Sequence, residues 1–203
     1  MVRKSVRYSI AMLSGTLGLG AVALYGCGGG SNVNTSGLPG GKATRAQTLR
    51  GRHLMTTGAC ADCHSGGGTD PASPIWLAGS KAGMPNASFA IGPFTTYPAN
   101  LTPDATTGIG TWTAQDIFNA LRNGKGKDGK FLAPPMPWPK FRDLTDEDIY
   151  AIAAYLQSIK PVVNAVPVST GPPGADGKPD WTGTYATLKP TSAYPASNEN
   201  NVP

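Results

Sequence analysis

Five consecutive residues, Cys60-Ala61-Asp62-Cys63-His64, have the types and the spacing to hold a prosthetic group through covalent bonds. Two thiols separated by two residues lie about one helical turn apart, the span between the vinyl groups of a haem, and each can become a thioether. A histidine directly after the second cysteine then falls under the iron, where its imidazole binds from the proximal face. The chain has only 3 Cys and 2 His, so this register is not a by-product of abundance. Two rival chemistries need other surroundings. A thioredoxin-type pair sits in a βαβ unit, and no strand-like segment precedes Cys60. A structural zinc takes four ligands, and with Cys27 committed to lipidation, as its own setting implies, only Cys60, Cys63, His64 and His53 remain. His53 lies seven residues before Cys60 on the same expected helix and reads as a surface or packing residue. One covalent haem c is the cofactor expected.

A second axial ligand opposite His64 would close the iron site. Thioether sulfur is a soft donor that favours Fe(II) and raises the reduction potential. Of the methionines beyond the N-terminal 26 residues, Met55 is too near the haem-bearing turn, which leaves Met84 and Met136. Met84 follows His64 by only 20 residues, whereas Met136 follows by 72, in the stiff run Pro134-Pro135-Met136-Pro137-Trp138-Pro139. Passing from one haem face to the other needs a long excursion, and prolines hold the sulfur at low entropic cost. Met136 is therefore favoured over Met84, although either could simply fill a core.

The N-terminus reads as an export signal. Arg3, Lys4 and Arg7 form a basic start, and an apolar stretch runs from Tyr8 to Tyr25. Leu24-Tyr25-Gly26-Cys27 then resembles a lipoprotein cleavage box, making Cys27 the candidate lipidation site. Residues 1–26 are the expected signal peptide and 27–43 a Gly/Ser/Asn-rich tether. Loss of the signal leaves 14 of the 17 basic side chains against 12 acidic ones, a net charge of +2, which gives no case for nucleic acid as a partner. The expected location is the periplasm or cell envelope, anchored to a membrane by lipid. Gly28, where some inner-membrane lipoproteins carry Asp, points towards the outer membrane.

Three helices can position the site. Thr44-Arg45-Ala46-Gln47 fits a capping box, and Ala46, Leu49, Gly51, Leu54 and Met55 can line one side of the helix that follows. Thr113 can cap a second helix, with Asp116 at N3, a Trp112–Ile117 staple and an end near Asn123-Gly124. Thr145 caps the third, with Asp146, Glu147 and Asp148 in its first turn. Ile149, Ile152, Ala153, Leu156 and Ile159 form its apolar stripe, and Pro161 stops it. Residues 66–110 show no regular period and read as long loops organised around a ligand. The cytochrome-like domain is placed at 44–166, and 167–203 reads as a Pro/Gly/Ser/Thr-rich tail.

The order of capped helix, Cys60-Ala61-Asp62-Cys63-His64, Met136-Pro137 and a last helix with Ala154-Tyr155-Leu156 resembles class I cytochromes c. Asn100-Leu101-Thr102-Pro103-Asp104, Thr107-Gly108-Ile109-Gly110-Thr111-Trp112, Ala120-Leu121-Arg122-Asn123-Gly124 and Leu144-Thr145-Asp146-Glu147-Asp148 are similar to the haem domains of cytochrome subunits in bacterial membrane-bound alcohol and aldehyde dehydrogenases. The resemblance implies an all-α fold of three or more helices around one haem. Gly51 of the first helix would meet Tyr155 of the last, and Met136 would be the axial methionine. Those subunits carry several haem domains, whereas this chain has one Cys-x-x-Cys-His.

The function expected is that of a non-catalytic, membrane-tethered electron carrier with redox-protein partners, a dehydrogenase or terminal oxidase among them. Lys125, Lys127, Lys130, Lys140 and Arg142 flank the Met136 segment and could dock an acidic partner. Two alternatives stay open: an electron-transfer subunit of a periplasmic dehydrogenase complex, and a haem enzyme or gas sensor whose sixth ligand leaves readily.

Overall fold

A computed structural model describes residues 41–81 and 83–188. The expected signal peptide, Cys27, most of the tether and the end of the tail lie outside those residues. The chain forms α1 (Arg45–Thr57), α2 (Cys60–His64), a hairpin of β1 (Phe89–Ile91) and β2 (Phe94–Thr96), α3 (Ala114–Asn123), α4 (Trp138–Phe141), α5 (Asp146–Ser158) and α6 (Thr182–Tyr185).

Side-chain caps begin the three long helices where the sequence places them. Thr44 Oγ1 accepts from Gln47 N (3.2 Å) while Gln47 Oε1 accepts from Thr44 N (2.8 Å), satisfying two of the donors a helix start leaves open. Thr113 and Asp116 make the same exchange at α3, and Thr145 Oγ1 accepts from Asp148 N at α5. Gly124 ends α3 at φ 65°, a left-handed conformation that a side chain disfavours.

Packing departs from the stripes expected. Along α1 only Gly51 and Met55 are buried, while Ala46 and Leu49 face solvent. Along α5 every residue from Ala151 to Gln157 is buried, so this helix is enclosed rather than amphipathic. α1 presses on it without intervening side chains. A Cβ added to Gly51 would lie 1.9 Å from the Ala151 carbonyl oxygen and 2.9 Å from Tyr155 Cβ. Main-chain atoms cannot yield as a flexible side chain can, so only glycine permits this approach.

Charged groups tie the helices at their rims. Arg122 is buried. It donates to the carbonyls of Arg142 and Leu144 and pairs with Asp146 Oδ1 (2.6 Å), joining the end of α3 to the start of α5. Arg50 of α1 pairs with Asp148.

Two features lie in segments without a clear sequence period. Residues 89–96 form an antiparallel hairpin that pairs Ile91 with Phe94, and Gly92 turns it at φ 59°, adding a small sheet to the expected all-α fold. The described part of the tail, 167–188, runs back over the domain. Thr170 N donates to Thr95 O (2.8 Å), and Trp181 is buried against Phe94 with ring centroids 5.7 Å apart.

Gly51→Ala is expected to destabilise the protein by about 3 kcal/mol, the upper part of the usual range for overpacking. Denaturant unfolding of the purified protein measures it. A loss below about 0.5 kcal/mol, the level of a neutral surface change, would mean the two helices can separate freely.

Candidate haem site

α1 stops when Gly58 N bonds back to Leu54 O (2.8 Å), and Ala59 then takes a left-handed conformation (φ 54°). That turn starts α2, so Cys60 does not continue the first helix, as its expected course implied. Cys60 and Cys63 are free and partly buried on this short helix. Burial pushes the Cys60 thiol up to about 11, and burial followed by the Asp62 charge raises that of Cys63. A dithiol redox motif works through an acidified thiol after a strand; here both thiols are less acidic and a helix precedes them. Among the described residues no three of His, Cys, Asp or Glu converge on a point where they could hold a metal ion.

His64 is buried, with Nδ1 2.7 Å from Ala99 O. A carbonyl only accepts, so Nδ1 carries the proton and Nε2 keeps its lone pair. Burial pushes the imidazole below its ordinary value, against the opposing pull of the Ala99 contact. The ring is therefore held neutral, in the tautomer whose Nε2 can bind a metal, by an outer partner that raises its basicity.

Three loops converge to fix Ala99 O. Gly79 N donates to His64 O (2.8 Å), Ser80 N to Pro98 O (2.8 Å) and Leu101 N to Leu77 O (2.9 Å). At Gly79 (φ +84°) a Cβ would lie 2.6 Å from the Ala99 carbonyl carbon, so this backbone pass also requires glycine. Asn100 Nδ2 donates to Val162 O (2.8 Å), while Asn100 Oδ1 accepts from the Thr102 amide (2.9 Å) and hydroxyl (2.8 Å). Asn164 Nδ2 reaches the carbonyls of Ala78 (2.8 Å) and Ser80 (3.0 Å). Side-chain amides thus replace a sheet ladder in satisfying these loop backbones. Ser65 Oγ accepts from Leu77 N (2.8 Å), and Trp76 Nε1 donates to Tyr155 OH (2.9 Å), which couples the loops to α5.

The two candidate methionines lie in different settings. A Cβ on Gly66 would meet Met84 Cβ at 2.8 Å, so Met84 packs on the chain just past His64. Met136 is partly buried against the hydrophobic core, as are Cys60, Phe118 and Phe141. Met55 is buried within that core, and His53 faces solvent. A cavity of about 650 Å³ beside Lys125, Phe131, Trp138 and Tyr185 includes none of Cys60, Cys63, His64 and Met136. Two free thiols on one turn, a neutral buried imidazole aimed by a carbonyl, and a thioether on an apolar core fit a covalently attached haem. The contributions of Ala99, Gly79 and Asn164 were not legible in the sequence, because a main-chain carbonyl carries no residue signal. Asn100 stood within a family-like motif, but its role emerges only from the fold.

The family model for cytochrome c matches residues 48–160, spanning every element from most of α1 to the end of α5. The chain belongs to the cytochrome c family. Membership implies covalently bound haem c, and Cys60 and Cys63 supply the Cys-x-x-Cys-His pattern that accompanies it. This cytochrome c is 38% identical over 134 residues to the gluconate 2-dehydrogenase cytochrome c subunit of Pantoea cypripedii, covering 66% of the present chain and 28% of that protein. It is 37% identical over 121 residues to the fructose dehydrogenase cytochrome subunit of Gluconobacter japonicus, 59% of this chain and 23% of that one. It is 34% identical over 128 residues to the cytochrome c subunit of the quinone alcohol dehydrogenase of Gluconobacter oxydans, again 59% of this chain and 23% of the relative. The chain thus spans only 23% to 28% of the length of these three relatives. Among the described residues no helix is long and apolar enough to cross a membrane.

Asn100→Ala would remove the acceptor of the buried Thr102 amide and one of two donors to the Val162 carbonyl, at a cost of about 2 kcal/mol. Chemical denaturation of the holoprotein measures this, with Asp70→Ala on an exposed turn as the control. Equal stability of the two variants would show that the Asn100 amide does not hold the loop.

Proposed function

We propose that this cytochrome c is a single-haem electron carrier of the cell envelope. Haem c is attached through Cys60 and Cys63, with His64 and Met136 as axial ligands and Cys27 as a lipid anchor. The observation that carries the reading is the His64–Ala99 contact, which leaves a buried neutral imidazole with one nitrogen free, beside two thiols at haem spacing.

Haem supplies the one-electron Fe(III)/Fe(II) couple when bound there. The protein does the rest. The thiols fix the group covalently. His64, braced by Ala99 O, donates a lone pair of raised basicity. Met136 supplies a soft donor that favours the ferrous state, and the surrounding core excludes water. With His64 and Met136 both holding the group, no substrate would reach the iron, and the chemistry it would supply is one-electron exchange with a redox partner.

A dehydrogenase is the favoured partner, because relatives that share the domain are named as cytochrome subunits of gluconate and fructose dehydrogenases. A terminal oxidase would serve the same chemistry in the opposite direction. The cationic docking face expected around Met136 needs revision. Arg142 is buried, Lys130 pairs with Asp176 (2.6 Å) and Lys125 stacks over Phe131, which leaves Lys127 and Lys140 as its exposed members. A patch of two lysines gives little electrostatic steering, so contacts made by uncharged groups must contribute more to docking.

Full-length protein extracted from membranes is expected to contain one haem per chain and to show the weak red sulfur-to-iron charge-transfer band in its ferric spectrum. Met136→Ala should abolish that band and lower the reduction potential by tenths of a volt, within the roughly 0.8 V that axial ligands span. Persistence of the band in Met136→Ala would reject Met136 as ligand. Fast CO binding to the unaltered ferrous protein would instead favour a gas-binding haem protein.

A further inference from the structure

Residues 169–188 lie beyond the segment that matches the family model, 48–160, yet they touch both flanks of the Met136 loop. Upstream of Met136, Lys130 Nζ bonds Asp176 Oδ1 (2.6 Å), and the Phe131 ring lies 5.3 Å from that of Tyr185. Downstream, Trp138 is buried, stacked on Phe131 (5.7 Å, 21°) and edge-on to Tyr185 (5.0 Å, 65°). The indole also lies on the α3 cap, where a Cβ on Gly124 would come within 2.1 Å of it. The segment is itself anchored. Thr170 exchanges hydrogen bonds with Thr95 (2.8 Å each way), Ser169 Oγ accepts from Tyr97 N (3.0 Å), and Trp181 is buried between Phe94 and Gly171.

β2 links the two structures. The backbones of Thr95 and Tyr97 engage residues 169–170. The Thr96 hydroxyl, from the residue between them, donates to Pro134 O (2.7 Å), two residues before Met136. The loop carrying Met136 is therefore gripped at Lys130, Phe131, Pro134 and Trp138, and Asp176 or Tyr185 contributes to each grip except that at Pro134.

We infer that residues 169–188 form a strap that holds the Met136 loop closed, with Asp176 and Tyr185 as positioning residues that keep the Met136 sulfur in place. The inference rests on the reading of Met136 as iron ligand, and it adds that the retention of this ligand is controlled from outside the family-matched domain. A thioether is a weak donor whose departure requires its loop to move. Contacts that exist only while the loop is closed therefore slow that departure.

Full-length holoprotein, Tyr185→Ala and Asp176→Asn test it through two readouts. The first is the rate at which CO binds the ferrous protein, which requires the sixth ligand to leave. The second is hydrogen exchange at the amides of Leu132 and Met136, whose acceptors are Gly124 O and Ala133 O. Tyr185→Ala is expected to raise both on the order of tenfold, the effect of about 1.4 kcal/mol, while Asp176→Asn raises both by a smaller factor. Far-ultraviolet dichroism checks that both variants keep their helices, so that a faster rate reports the loop and not global unfolding. Unchanged exchange and CO rates in Tyr185→Ala would overturn the strap. If Met136→Ala keeps its charge-transfer band, the ligand assignment fails, and the exchange readout still decides whether the strap holds the loop.

Discussion

A buried imidazole can serve as a metal ligand only if one nitrogen is committed elsewhere, and here Ala99 O takes that role for His64. The contact is 2.7 Å long, and its geometry depends on chain segments far apart in sequence. Leu77 to Ser80, Ala99 to Thr102, and Val162 to Asn164 must all arrive together for that oxygen to sit beside the ring. The two asparagines hold them together, because a primary amide can donate and accept at once and so satisfy several loop backbone groups. A region with little regular structure thereby becomes rigid where the site requires it.

The helical frame supplies the other constraint. Gly51 lets α1 lie directly on α5, and the enclosed α5 then carries Tyr155, whose hydroxyl accepts from Trp76 on the proximal loops. One helix crossing thus reaches the histidine side through a single buried hydrogen bond. Arg122 performs the corresponding task at the other end, where its guanidinium satisfies two loop carbonyls and also pairs with Asp146. A buried charge of this kind is tolerated because its donors are matched by carbonyls and a carboxylate.

The histidine side and the methionine side are built differently. The first relies on hydrogen bonds among loops of the domain and the chain just after it. The second relies on ring packing of Phe131, Trp138 and Tyr185, and on chain that follows the domain by some twenty residues. Aromatic stacking leaves more freedom for small displacements than a network of directed hydrogen bonds. Met136, the softer ligand of the proposed pair, would thus be carried by the more adjustable support.

Local rules made much of this protein legible in the sequence. Caps at Thr44, Thr113 and Thr145, the stop at Gly124 and the Cys60–His64 motif depend on residues within a few positions of one another, so local steric and hydrogen-bonding preferences determine them. The hairpin at 89–96 leaves no comparable signal, because two three-residue strands are too short to establish a period. The burial of Arg122 and Arg142 is equally silent, because the groups that compensate a buried cation come from other elements. Which carbonyl orients His64, which residues enclose Met136 and where the chain beyond Pro161 runs were decided by tertiary structure alone. Each depends on main-chain atoms or ring faces brought together across tens of residues, and neither leaves a mark on the residue types at the site itself.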